Sequence, residues 1–208
     1  MYFLNEDLFF PSVENANNEG LLAVGGDLLP ERLLLAYKSG IFPWFNEGSQ
    51  ILWWSPNPRM VLFPEEVKIS KSMRKVFKAN QFKLTKNYCF KDVLIKCATV
   101  KRNGQEDTWI TESMINAYVK LHELGKAVSY EVWENEELVG GLYGIDLGTV
   151  FCGESMFSNV SNASKYAFIK LAQENRYKLI DCQMYTPHLE SLGAREIKRI
   201  DFLEYLKD

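Results

Sequence analysis

Residues 127–158 read AVSYEVWENEELVGGLYGIDLGTVFCGESMFS, and the fold class turns on them. Valine, tyrosine and tryptophan crowd 127–133, leucine and tyrosine crowd 138–143, and the polar run ENEE lies between, so the spacing predicts a β-hairpin. A third strand follows through 150–154. The glycines Gly140, Gly141, Gly144 and Gly148 fit neither GxxxxGK[ST] nor a GxGxxG that opens a helix, so they read as hairpin and bulge positions and not as a nucleotide cradle.

Downstream, Asn162 stands where a residue would cap the helix ASKYAFIKLAQEN, and KLIDCQ (178–183) reads as a strand, which makes a strand–helix–strand crossover. A short helix near HLESLG, a last strand over 194–200 and a capping box of Asp201 with Glu204 complete the chain. Upstream, Thr111 is placed to cap ESMINAYVKLHELG, whose stripe of Met114, Ile115, Tyr118 and Leu121 ends at Gly125. A helix over 91–97 and one from Ser70 to about residue 79, with Met73, Val76 and Phe77 on one side, come before it. This is an α+β order, a mainly antiparallel sheet flanked by helices over 64–208.

The first 63 residues differ in character. Pro30 opens a helix over ERLLLAYK that Gly40 ends. Trp44, Trp53 and Trp54 among Pro43, Pro56 and Pro58 then predict irregular chain. They form a small N-terminal α/β unit, and since no Gly/Ser-rich linker separates it from the rest, the two parts are expected to pack tightly.

Composition narrows the function classes. With 47% apolar and 25% charged residues over 208 positions, the chain is long enough for a substantial core. No apolar run approaches the ~20 residues of a membrane span, and the acidic start lacks the pattern of a secretory signal, so a cytoplasmic location is expected. Cys89, Cys97, Cys152 and Cys182 contain no CxxC, and His122 and His188 add no zinc spacing. No motif singles out a Cys–His nucleophile. The formal net charge is −3, yet residues 68–102 hold eleven Lys and Arg against the single acid Asp92. Such a stretch is either a solvated face or a polyanion-binding surface, since phosphate contacts require local positive charge.

In KLIDCQ the side chains of Asp181 and Gln183 are two apart on a strand and would share a face. They are either a polar pair at a strand end or part of a site. Glu154, set among Phe151, Met156 and Phe157 beside Gly153, needs a partner if buried, and a cationic amine is one candidate.

GLLAVGGDL (20–28), GIFPWF (40–45), ILWWSPNPR (51–59), TWI (108–110), LHELG (121–125), LVGGLYG (138–144), FCGESMFS (151–158), NASK (162–165), LIDCQ (179–183) and HLESLGA (188–194), in this order, closely resemble the bacterial leucyl/phenylalanyl-tRNA-protein transferase family. The resemblance implies a small N-terminal domain followed by a domain similar to the GCN5-related N-acetyltransferases. It implies transfer of Leu or Phe, less readily Met, from aminoacyl-tRNA to the N-terminal Lys or Arg of a protein, which marks that protein for N-end rule degradation through a downstream adaptor. No metal or organic cofactor is implied.

By the same resemblance Asp181 and Gln183 are the catalytic pair, with the Gln183 amide accepting a hydrogen bond from the attacking amine and Asp181 orienting that amide. Trp53, Trp109, Leu142 and Phe151 would form the apolar amino-acid pocket, with Gly153 and Glu154 at its edge. The tRNA would lie on Lys68, Lys71, Arg74, Lys75, Lys78 and Lys83. The chain departs from the family pattern at Val128, where members commonly have His, and at Leu142, where others carry Met. Two other readings differ in class. A CoA-dependent N-acetyltransferase needs an [RQ]xxGx[GA] loop, which the 151–165 junction lacks, and an RNA-binding adaptor leaves Asp181 and Gln183 unexplained.

Overall fold

The computed structural model describes residues 2–100 and 110–207. Strands β1 (Tyr2–Leu4) and β2 (Leu21–Gly25) precede helix α1 (Pro30–Lys38), and β3 (Phe42–Pro43) and β4 (Leu52–Trp54) complete a four-stranded sheet of order β1-β2-β4-β3. The expected irregular stretch therefore contains paired strands. Trp53 and Trp54 pair with Pro43 and Phe42, a preference that aromatic side chains express only when a partner strand is at hand.

The chain enters a second sheet at β5 (Arg59–Leu62) and continues through α2 (Lys71–Lys78), β6 (Lys83–Lys86), α3 (Phe90–Thr99) and α4 (Glu112–Glu123). The strands β7 (Ala127–Glu134), β8 (Glu137–Asp146) and β9 (Val150–Ser158) follow, then α5 (Ala163–Ala172), β10 (Leu179–Gln183), α6 (Pro187–Ser191), β11 (Arg195–Ile197) and α7 (Arg199–Glu204). The seven strands run β11-β5-β10-β9-β8-β7-β6. Only the β9–β10 pair is parallel, bridged by α5, and the other five pairings are antiparallel. The fold is α+β, an N-terminal unit beside a mainly antiparallel sheet flanked by helices.

Successive residues of the central strands belong to two different cores. Ala127, Tyr143, Cys152 and Leu179 face α3, α4 and the N-terminal unit, whereas Val128, Leu142, Phe151 and Ile180 face α2 and α5. Both faces are covered, which explains the nearly unbroken apolar runs of β8 and β9. Each large side chain so buried contributes ~1.5–3 kcal/mol.

Local signals act where expected. Ser70 and Thr111 accept the N–H groups of Met73 and Met114, and Gly125 takes φ 69° after α4. The hairpin turn is tighter than ENEE suggests. Glu134 and Glu137 still pair, and only Asn135 and Glu136 turn, both with positive φ, the two-residue geometry that matches strand twist. Gly140 serves packing, since a Cβ there would lie 2.5 Å from that of Ala163 and push α5 off the sheet.

Two expected caps are replaced. Asn162 adopts φ 73° and makes no cap bond; the Ser158 hydroxyl receives the Ser164 N–H instead. Asp201 and Glu204 lie inside α7, whose first turn is held by Asn57 Oδ1 on the Arg199 N–H at 3.0 Å. In both cases a residue other than the expected cap satisfies the free donor, Ser158 from the end of β9 and Asn57 from far along the chain, which helix-end patterns do not report. Strand β6, KLTK, carries no strong strand signal and forms as the charged edge beside β7.

Candidate active site

The pairing of β9 with β10 stops at Cys152 and Asp181. Beyond that point the next residues of both strands, Gly153 to Met156 and Cys182 to Met184, line a cavity of about 690 Å3. A register shift between Asp181 and Gln183 and a left-handed Gln183, φ 63°, accompany the separation. Such a conformation costs a non-glycine residue roughly 1–2 kcal/mol and persists only when its surroundings enforce it.

The enforcement is visible. Asp181 is fully buried and forms a two-point ion pair with Arg59, Nε to Oδ1 at 2.8 Å and Nη2 to Oδ2 at 2.7 Å. Its Oδ1 also accepts the Gln183 backbone N–H at 2.9 Å. The Gln183 side-chain amide points elsewhere, its Nε2 donating to Glu154 Oε1 at 2.6 Å. The carboxyl group bonded to this amide is therefore that of Glu154, whereas Asp181 holds the backbone beneath it. The bulge between them undoes the simple shared face of a regular strand.

Glu154 also accepts the Tyr118 hydroxyl at 3.0 Å, and Tyr118 is in turn hydrogen-bonded to the Tyr37 hydroxyl of α1. Burial pushes the Glu154 carboxyl up to about 8, against the downward pull of hydrogen bonds from Tyr37, Tyr118 and Gln183 and with a further upward push from the charge of Asp181. At neutral pH Glu154 is mostly protonated. Burial first, then the neighbouring Glu154 charge, holds both tyrosines well above their ordinary range, so they stay neutral donors.

The walls are apolar: Phe42, Leu142, Phe151, Met156, Phe168 and Leu171, with Trp44 at 37% exposure. Leu142, Phe151, Gly153, Glu154, Asp181 and Gln183 thus meet at one place. Trp53 does not. The alternation of β4 turns it into the core, fully buried, with Nε1 on Gly25 O at 2.9 Å and its ring against Phe10. Among the described residues, the tryptophan on the cavity is Trp44, whose carbonyl receives Trp54 Nε1 at 2.7 Å. Trp109 lies outside the described residues. Sequence reading missed Arg59, Tyr37 and Tyr118. A cation within the apolar strand RMVL was the available signal for Arg59, because a buried guanidinium requires an acid. No local pattern distinguishes the two tyrosines from ordinary core.

Lys68, Lys71, Arg74, Lys75, Lys78 and Lys83 are all exposed on and around α2, and none forms an ion pair with another described residue. Among the described residues no group of His, Cys, Asp and Glu is arranged to hold a metal, and no helix is long and apolar enough to cross a membrane.

The α+β fold carries a cleft that is apolar in its walls and hydrogen-bonding at its floor, the form of a small-molecule or catalytic site. Residues 61–207 match the family model described as leucyl/phenylalanyl-tRNA protein transferase, and residues 26–57 match that of its N-terminal domain. Curated relatives named leucyl/phenylalanyl-tRNA--protein transferase include those of Flavobacterium johnsoniae, 64% identical over all of this chain and 99% of the relative, and Flavobacterium psychrophilum, 59% identical over the whole of both. The chain belongs to the leucyl/phenylalanyl-tRNA-protein transferase family. Among solved structures, a GCN5-related N-acetyltransferase from Kribbella flavida aligns at 9% identity and TM-score 0.35, over 80% of this chain and 60% of the other.

Proposed function

We propose that this chain transfers Leu or Phe, and less readily Met, from aminoacyl-tRNA to the N-terminal Lys or Arg of acceptor proteins in the cytoplasm. The new peptide bond would create an N-end rule degradation signal read by a downstream adaptor. The observation that carries this reading is the meeting of Gln183 and Glu154 on the floor of an apolar-walled cavity.

The chemistry asks little of the protein beyond placement. The acceptor nitrogen attacks the ester carbonyl carbon, the new C–N bond replaces the C–O bond to the terminal ribose, the nitrogen sheds one proton and the ribose oxygen gains one. An α-amine with a pKa of ~7.7–8.0 is already partly neutral at physiological pH. Because the Gln183 NH2 is tied to Glu154, its oxygen is the end left to receive an N–H of the amine. Glu154, pushed up to about 8, is matched to that amine, so proton exchange between them is nearly balanced. Holding amine and ester in line supplies the larger part of the acceleration.

Leu142, Phe151 and the adjoining apolar walls take the donor side chain. Fit of this kind discriminates by ~1–3 kcal/mol per methylene, enough to favour Leu and Phe without excluding Met. The six cations around α2 serve the tRNA backbone, reading its shape more than its sequence. The test uses radiolabelled Leu-tRNA or Phe-tRNA and peptides that differ only in beginning with Arg, Lys or Ala. Transfer to the Arg and Lys peptides alone is expected; tRNA binding with no transfer would refute the reading in favour of a binding module.

A further inference from the structure

We propose that Arg59 is a positioning residue for the transfer reaction, acting through Asp181 to hold Gln183 in its working geometry. The inference rests on the transferase reading above. Asp181 is fully buried, and its carboxylate already receives three donors, two from Arg59 and one from the Gln183 backbone. Most of its acceptor capacity is thereby committed inside the protein. What it does is clamp the peptide N–H of a residue held at φ 63°, and that backbone sets the direction of the Gln183 amide toward Glu154.

Arg59 is itself fixed from three directions. Its guanidinium lies 4.8 Å from the ring centroids of Phe42 on β3 and of Phe202 on α7, and Nη1 donates to Gly40 O at 3.3 Å. Phe42 is also a wall of the cavity. One side chain therefore ties the N-terminal sheet, the last helix and the cavity floor together, so the wall and floor keep a constant separation. Only a planar guanidinium both stacks between two rings and meets a carboxylate at two points; an ammonium keeps the charge but not this geometry.

The experiment compares wild type, Arg59→Lys and Arg59→Ala in single-turnover transfer from Leu-tRNA to an Arg-initiated peptide, with Leu-tRNA Kd and thermal unfolding measured on the same preparations. Displacing a reacting group by about 1 Å costs on the order of 100-fold in rate. Arg59→Lys is expected to lose about that much rate while Leu-tRNA Kd stays within about threefold, and added guanidinium is expected to restore part of the Arg59→Ala rate. Phe202→Leu, which loosens the guanidinium while leaving the ion pair, supplies the answer if both Arg59 variants fail to fold: a several-fold slower transfer at unchanged Kd is expected. Wild-type rates in Arg59→Lys or, where that variant is lost, in Phe202→Leu overturn the proposal. So does a rate loss that only tracks the loss of folded protein or of tRNA binding. Wild-type protein that transfers nothing defeats the transferase reading, whereas normal wild-type transfer beside an equally active Arg59→Lys defeats this inference alone.

Discussion

Glu154→Gln is expected to be less stable than wild type in acid and more stable in mild alkali. In the folded chain the Glu154 carboxyl keeps its proton to about pH 8, while its ordinary value is 4.5. Between those values the folded state binds more protons than the unfolded one, so wild-type stability falls as pH rises through the window. Each unit corresponds to ~1.4 kcal/mol. From pH 5 to pH 8 a fully insulated group would remove ~4 kcal/mol, and contact with the open cavity reduces this to about 2–3 kcal/mol. Glutamine has the same shape and cannot ionise, but its NH2 faces a donor from Tyr118 or Gln183, a mismatch that costs ~1 kcal/mol at every pH. The difference between variant and wild type should therefore change sign, from about −1 kcal/mol at pH 5 to about +1 to +2 kcal/mol at pH 8. Urea unfolding followed by tryptophan fluorescence at pH 5, 6.5 and 8 measures it, with all other groups cancelling between the two proteins. A constant difference across the three pH values would refute the reasoning, because it would mean that Glu154 titrates alike in both states.

Asp181→Ala strands the Arg59 guanidinium in the core and should lower unfolding free energy by about 3–5 kcal/mol; the Arg59→Leu/Asp181→Leu pair should be less destabilised than the alanine variant, and additive losses in denaturant titrations would argue against coupling. Replacing Lys71, Arg74 and Lys75 with Gln should weaken tRNA binding and flatten the slope of log Kobs against log salt by about 2, whereas an unchanged slope places the tRNA elsewhere. Gly144→Ala drives a Cβ into the backbone carbonyl of Cys152 and to 2.6 Å from the Phe151 ring. Overpacking at that site should cost about 1–3 kcal/mol and deform the cavity wall, read as a lower melting temperature together with slower transfer. Leu142→Met should shift the ratio of Leu to Phe transfer by less than about tenfold, and a change in tRNA affinity instead would remove Leu142 from the pocket.

The hairpin β7–β8, the Ser70 and Thr111 caps, the β9–α5–β10 crossover and the basic stretch around α2 were legible in the sequence, because each depends on neighbours within one or two turns or on an alternation of two. The stretch 41–64 was not, since its short strands form only by pairing with partners distant in the chain, β3 and β4 in the N-terminal sheet and β5 between β10 and β11. The caps at Asn162 and Asp201 were misread because Ser158, at the end of the preceding strand, and Asn57, far along the chain, supply the acceptors instead.

The candidate site divides along the same line. Its residue types, an acid and an amide at 181 and 183 and a glutamate among apolar residues at 154, were present in the order of the chain alone. Which of them touch was decided by the tertiary structure. Alternation would set Asp181 and Gln183 side by side on one face, but the bulge and the left-handed Gln183 break that period, and a cation 122 positions away neutralises Asp181. Partner choice among buried polar groups follows from the cost of leaving any of them unpaired, and that cost is settled only once the strands, the N-terminal sheet and the last helix have closed around the cavity.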